Sequence, residues 1–103
     1  MNLEQHLLLK LIEECTEVAK EAAKCMQFGM DEVYEPVGIS NRERLIGELN
    51  DVMAILQMLN NISAASDKHN NLGYEPDVKA INAKIEKVLH YLQYSVDIGQ
   101  VKL

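Results

Sequence analysis

Residues 40–65 read SNRERLIGELNDVMAILQMLNNISAA, the most apolar helical pattern in a chain of 103 residues. Ser40 and Glu43 match the capping box that marks the start of a helix, so we predict a helix from Asn41 to about Ala65. One face of this helix carries Leu45, Leu49, Val52, Leu56 and Leu59, and Ala54 and Met58 lie near its opposite side. A helix that is apolar on more than one side is central in its fold or buried in an oligomer.

Two further helices are predicted from apolar residues at helical spacing. The first runs from Leu3 to about Phe28, where Gly29 ends it. Its apolar stripe is Leu8, Leu11, Cys15, Val18, Ala22 and Met26. The last helix is predicted to have Pro76 and Asp77 in its first turn. It is predicted to run to about Val96. Its narrow apolar stripe is Val78, Ile81, Ile85, Val88 and Leu92.

The composition favours one all-α domain over residues 1–103. The chain has only two Pro and five Gly, which leaves long stretches for helices. Residues 30–39 are predicted to form a loop with a short helical turn around Asp31–Tyr34, and residues 66–75 form a second loop. We expect a bundle of three long helices that completes a four-helix-type core by dimerisation.

The charge and the chain ends exclude several classes of protein. A formal net charge of −6 argues against binding to nucleic acid polymers or acidic membranes, since both need clustered Lys and Arg. No apolar run is long enough to cross a membrane, and Met1–Gln5 lacks the basic region of a signal peptide. Cys15 and Cys25 would lie about 15 Å apart on one helix, too far for a disulfide. We expect buried free thiols and a cytoplasmic protein.

Four acids form two helical pairs, Glu14 with Glu17 and Glu48 with Asp51. Residues three apart share a helix face. On a helical wheel of about 100° per residue, Glu48 falls inside an apolar face, Asp51 lies beside it and Glu14 lies at the edge of a stripe, while Glu13 and Glu17 lie further out. Unpaired carboxylates turned toward a core repel one another, so the pattern requires a cation.

That cation can be a basic side chain or a metal ion, and the sequence does not decide between these two alternatives. Lys84 and Lys87 of the last helix are candidate partners in buried salt bridges. An all-carboxylate site favours Mg²⁺ or Mn²⁺. No His follows a Glu by three residues, so the E-x-x-H pairs of di-iron helical bundles are missing.

The motifs E-E-x-x-E at residues 13–17 and E-x-x-D at residues 48–51 resemble the signature of the all-α nucleoside triphosphate pyrophosphohydrolases, the MazG-like superfamily. Residues 47–52, GELNDV, resemble its E-L-G-D segment, with Asn50 where Gly is usual. The resemblance covers nearly the whole chain and looks like the compact phage and bacterial members. The gap between the motifs is slightly longer than usual, and the absence of Trp leaves the choice of base open.

The resemblance implies Mg²⁺-dependent hydrolysis of a nucleoside or deoxynucleoside triphosphate to the monophosphate and pyrophosphate. Glu14, Glu17, Glu48 and Asp51 match the metal ligands of the family. Glu13, or a ligand acid such as Glu17, is the candidate that takes a proton from water.

Substrate contacts are assigned from residue type alone. Lys84 and Lys87, a turn apart, are the candidate triphosphate contacts, and the alternative is a solvated face. Arg42 and Arg44 are weaker candidates because the first turn of a helix already attracts anions. The aromatic candidates either stack on a base or pack in the core or a loop, and they are Phe28, Tyr34 and Tyr74.

Two rival functions remain open. One is a non-catalytic helical interaction module with the same fold, and the other is a related pyrophosphohydrolase that acts on dUTP, dCTP or phosphoribosyl-ATP. Divalent metal binding that depends on the four acids would distinguish the enzyme from the interaction module. Substrate profiling would distinguish it from the related pyrophosphohydrolases. The surplus apolar surface predicts a homodimer or homotetramer with the site near the subunit interface.

Overall fold

The computed structural model describes residues 1–62 and 71–103, which form three α-helices and no β-strand. These are α1 (Leu3–Phe28), α2 (Asn41–Asn60) and α3 (Val78–Asp97). The all-α class and the bounds of α1 are confirmed. The predicted end of α2 near Ala65 is wrong, because the helix stops at Asn60 and the N–H of Asn61 turns back to the carbonyl of Met58. Ala65 itself lies outside the described residues.

Polar side chains cap α2 and α3. The hydroxyl of Ser40 accepts a hydrogen bond from the N–H of Glu43, as predicted, which satisfies a donor that the first turn leaves unpaired. Asp77 is the cap of α3, and its carboxylate accepts from the N–H of Ala80 at 3.1 Å. The placement of Pro76 and Asp77 within the first turn is therefore wrong by one to two residues, since an Asp gains a hydrogen bond at the cap.

The two long helices α1 and α2 pack against each other in opposite directions. At one end the core consists of Leu7, Leu59 and Ile62, with Leu11 and Ile55 packed against it. Near the other end, Arg44 of α2 contacts Glu21 of α1. This antiparallel pairing brings the middle of α1, with its acidic motif, to the level of the acidic motif of α2.

The face of α1 that packs on α2 differs from the predicted stripe. Its buried residues are Leu7, Glu21 and Cys25, and its half-buried ones include Leu11, Glu14, Glu17 and Val18. Exposed residues of the predicted stripe are Leu8, Cys15, Ala22 and Met26. The prediction that both cysteines are buried holds for Cys25 only. Glutamates on the packed face weaken its apolar pattern, so periodicity alone selects a neighbouring stripe.

The connection between α1 and α2 is tied to the start of α2. The first N–H groups of α2, those of Asn41 and Arg42, donate to the carbonyls of Glu32 and Met30. These bonds hold residues 30–32 in a non-helical path, so the predicted helical turn around Asp31–Tyr34 is wrong. The turn lies just after it, where the Tyr34 carbonyl accepts from the N–H groups of residues 37 and 38.

The third helix leaves its apolar side uncovered. No residue of α3 is buried, and the side chains of Ile81, Ile85 and Val88 are 45%, 51% and 54% exposed. The helix makes only marginal contact with α1 and α2. The radius of gyration is 17.9 Å, whereas a compact domain of this length has about 13 Å. A single chain therefore leaves much of its apolar surface in water.

Candidate functional site

Carboxylates from α1 and α2 converge at the middle of the helix pair. Glu14, Glu48 and Asp51 each offer one oxygen, and these three oxygens lie within 4.8 Å of one another. Glu14 and Glu48 are half-buried, and Asp51 is exposed. The three-residue spacing places Glu48 and Asp51 on one face of α2, which meets α1 at Glu14. The chain thus brings together three of the four acids predicted as metal ligands.

The two remaining acids of the motif occupy different surroundings. Glu17 lies close enough for its charge to act on Glu48, but it is outside the group of three oxygens. Its carboxylate is 3.9 Å from the ammonium of Lys20. Glu13 accepts a hydrogen bond from Lys10 at 3.0 Å, and both of these side chains are exposed. Glu17 therefore borders the cluster, whereas Glu13 is paired on the outer surface of α1.

The cluster carries uncompensated negative charge. Partial burial raises the pKa of the Glu48 carboxyl above its ordinary value of 4.5, and the charges of Asp51, Glu14 and Glu17 raise it further. Within residues 1–62 and 71–103, no Lys or Arg forms an ion pair with Glu14, Glu48 or Asp51. The salt bridges considered with the lysines of α3 are therefore not formed in this part of the chain. A bound cation would relieve the repulsion.

The donor set suits a hard divalent cation. The cluster offers only carboxylate oxygens, the ligand type that Mg²⁺ prefers, and no described His or Cys joins it. Beside it lies a shallow, open pocket of about 480 Å³, lined by Glu43, Arg44, Glu48 and Asp51 among others. Mg²⁺ keeps several waters or phosphate oxygens in its coordination shell, so an open position beside the carboxylates fits its chemistry.

A second charged group lies at the next turn of the same interface. Glu21 is only 2% exposed, and its Oε1 is 3.1 Å from the guanidinium of Arg44 and 3.6 Å from the ammonium of Lys24. Its Oε2 is buried and accepts no hydrogen bond from the described residues. Because Arg44 also lines the acidic pocket, a cation stands at the rim of the cluster.

This group was not predicted from the sequence, although the spacing on each helix places its members on the faces that carry the acids. Glu21 follows Glu17 by four residues and therefore shares its helix face, and Arg44 precedes Glu48 by four residues on α2. Lys84 and Lys87, the residues predicted to contact phosphate, are exposed on α3 and are not among the residues that line the acidic pocket.

The aromatic candidates do not pack in the core. Phe28 and Tyr34 are 57% and 61% exposed and line one cavity, which borders the charged group through Lys24 and Arg44. Tyr74 is also exposed, and its backbone pairs with the side chain of Asn60. The core-packing alternative for these residues is therefore wrong.

Comparisons of this chain with protein-family models, with curated proteins and with solved structures find no match. The resemblance to MazG-like enzymes therefore stays an expectation from the sequence. In the part of the chain that the structure describes, no helix is long and apolar enough to cross a membrane.

Proposed function

We propose that this chain is a Mg²⁺-dependent pyrophosphohydrolase that converts a nucleoside or deoxynucleoside triphosphate to the monophosphate and pyrophosphate. One observation carries the proposal. Three carboxylate oxygens from two helices lie within 4.8 Å of one another, and no basic side chain of the described residues pairs with them. The reaction itself comes from the resemblance of the two motifs.

In this proposal Glu14, Glu48 and Asp51 hold the metal, and Glu17 at the edge of the cluster is the fourth ligand. When bound, Mg²⁺ supplies positive charge to phosphate oxygens and lowers the pKa of a coordinated water. Glu17 would be better placed than Glu13 to accept a proton from the attacking water, because Glu13 is paired with Lys10 outside the cluster. Mn²⁺ suits the same oxygen donors.

Phosphate binding needs positive charge near the acids. Arg44 is at the rim of the acidic pocket and offers a guanidinium that can bind two phosphate oxygens at once. Lys84 and Lys87 remain proposed triphosphate contacts. Both lie on α3, which makes little contact with the helix pair of its own chain, so their role depends on how copies of the chain assemble.

Turnover is tested by measuring pyrophosphate release from canonical and modified nucleoside triphosphates, with dUTP, dCTP and phosphoribosyl-ATP included. We expect release from at least one substrate with Mg²⁺ and none with excess chelator. If the folded protein releases no pyrophosphate and Mg²⁺ does not bind the cluster, the proposal is wrong. The non-catalytic interaction module, which the exposed face of α3 also favours, then becomes the better interpretation.

We also propose that two copies of the chain assemble, with α3 at the interface. The supporting observations are the uncovered apolar side of α3 and the exposed Leu8 and Met58 on α1 and α2. A second copy is the occupant that fits all of these surfaces, because a two-fold interface covers the same patch on both subunits. A homodimer of this kind would complete a four-helix-type core, and a homotetramer would pair two such dimers.

The substitution Ile85→Glu is expected to weaken self-association at least about a hundredfold, because two carboxylates would be buried at the two-fold interface. The matched control is Ala83→Glu, which places the same side chain on the opposite side of α3. Sedimentation velocity over a range of protein concentrations measures both variants. A wild-type chain that is monomeric at all concentrations, or two variants that behave alike, would contradict the proposed interface.

A further inference from the structure

A cavity of about 360 Å³ lies at the C-terminal end of α1, next to the acidic site. Its lining residues are Lys24, Phe28, Glu32, Tyr34, Asn41 and Arg44. The volume falls in the range of small-molecule sites, which have apolar walls and a few fixed polar groups. Phe28 and Tyr34 are aromatic candidates from the sequence and Arg44 is a proposed phosphate contact, whereas Glu32 and Asn41 have no part in the proposed function.

The wall formed by the connection between α1 and α2 is held in place. The amide of Asn41 donates to the carbonyl of Gly29 at 2.8 Å and to the carboxylate of Glu32 at 2.7 Å. An isolated bridge between Val33 and Ser40 closes the same segment. The cavity is therefore largely preformed, which lowers the entropic cost of binding a ligand.

Two aromatic side chains of this cavity remain in contact with water. Phe28 and Tyr34 are 57% and 61% exposed, although both lie next to a packed helix end. Planar rings of this kind bind other planar rings by stacking, which removes their exposed apolar surface from water. The aromatic wall therefore suits a flat heterocycle better than a flexible aliphatic ligand.

The cavity and the acidic pocket share one residue. Arg44 lines both of them, and its guanidinium is 3.1 Å from the carboxylate of Glu21. A ligand with a flat ring in the cavity can therefore extend past a guanidinium toward the carboxylate cluster. A nucleotide has this layout, with a base at one end and phosphates at the other.

Glu32 supplies a hydrogen-bond acceptor to the cavity. One carboxylate oxygen of Glu32 accepts from Asn41, and the other accepts no hydrogen bond from the described residues. An ionised carboxylate can only accept. The exocyclic amino group of a base offers it an N–H donor that no carbonyl oxygen flanks, whereas the ring N–H of uracil or thymine lies between two carbonyl oxygens that a carboxylate repels. We propose that this cavity binds the base of the substrate, and that Glu32 favours bases with an exocyclic amino group over uracil and thymine. The identification of the ligand as a substrate rests on the proposed function.

Binding of nucleoside monophosphates without metal tests this inference by titration calorimetry or NMR. We expect CMP to bind about tenfold more tightly than UMP, the size of one hydrogen bond to a charged acceptor, and ribose 5-phosphate to bind at least tenfold more weakly than CMP. Glu32→Gln keeps an acceptor for Asn41 and should bring the CMP and UMP affinities within about twofold. Glu35→Gln, a neighbouring carboxylate that does not line the cavity, should leave the ratio unchanged.

A second pair of variants tests the aromatic wall. Tyr34→Leu should weaken CMP binding about tenfold, the size of one stacking contact. Tyr91→Leu, at a tyrosine that is 56% exposed and does not line the cavity, should not. Equal binding of CMP, UMP and ribose 5-phosphate by the folded wild-type protein would overturn the inference, and so would a preference that survives Glu32→Gln. Because the titration needs neither metal nor turnover, a chain that prefers CMP but releases no pyrophosphate would disprove the enzyme and leave the cavity assignment standing.

Discussion

The substitution Glu48→Gln is expected to lower Mg²⁺-dependent pyrophosphate release at least about a hundredfold, because it removes the charge of a proposed metal ligand from the carboxylate cluster. Glu48 is the acid on which the charges of Asp51, Glu14 and Glu17 all act. A Gln keeps the size of the side chain, so the helix pair should be preserved. Initial rates at saturating Mg²⁺ measure the loss.

The same variant should be more stable than the wild type when metal is absent and the pH is near 7. The raised pKa of Glu48 means that the folded state favours the protonated carboxyl. The stability that this protonated carboxyl contributes is fully present below pH 4.5, the ordinary pKa of a Glu. It is lost as the pH rises through the raised pKa that Glu48 has in the folded protein. The difference between variant and wild type should therefore disappear near pH 4 and grow toward neutrality in thermal unfolding with chelator.

Glu43→Gln is the matched control for both measurements. Glu43 lines the same pocket as Glu48, but it is not a member of the carboxylate cluster. We expect close to wild-type turnover and little change in the pH dependence of stability. Full turnover by Glu48→Gln would show that Glu48 is not a ligand, and the proposed metal site would then be wrong.

Arg44→Gln is expected to destabilise the protein by about 2 kcal/mol, because it leaves the buried carboxylate of Glu21 with one charged partner, Lys24. One oxygen of Glu21 already lacks a donor among the described residues, so the lost bond cannot be replaced from there. The remaining ion pair with Lys24 and the partial exposure of Arg44 keep the cost below that of a fully isolated buried charge.

The control is Arg42→Gln, two residues away on α2. Arg42 also forms an ion pair, with Asp31 at 3.2 Å, but both side chains are exposed. Exposed pairs contribute little, so we expect a loss below about 0.5 kcal/mol. Urea unfolding at one fixed protein concentration compares the two variants, since self-association also affects apparent stability. Equal losses would mean that Glu21 and Arg44 do not form a stabilising buried pair.

Local signals in the sequence predicted the helices well. Glycine after Phe28 and the cap at Ser40 each act within a few residues, so α1 and the start of α2 lie where predicted. The packed face of α1 could not be found in the same way. Its interior positions include Glu14, Glu17 and Glu21, and hydrophobic periodicity ranks a stripe with acids below the neighbouring apolar stripe.

The two acidic pairs were predictable because the spacing on each helix and the inward position of Glu48 follow from the helical period alone. Their convergence depends on how α1 and α2 pack against each other. The pairing of Glu21 with Arg44 depends on the register between α1 and α2, which spacing within one helix does not determine. The cavity beside it depends on the path of residues 29–40. That path is held by Asn41 through bonds across nine and twelve residues, which no local pattern reveals.

The proposed function requires cleavage of the bond between the α- and β-phosphates of a nucleotide. Phosphorus NMR of the products, recorded after incubation of the best substrate with Mg²⁺, tests it most directly. The proposed function predicts equal amounts of nucleoside monophosphate and pyrophosphate from the wild type, and neither product from Glu48→Gln. Orthophosphate with nucleoside diphosphate as the products, or no Mg²⁺-dependent products from folded protein with any substrate, would contradict the proposed function.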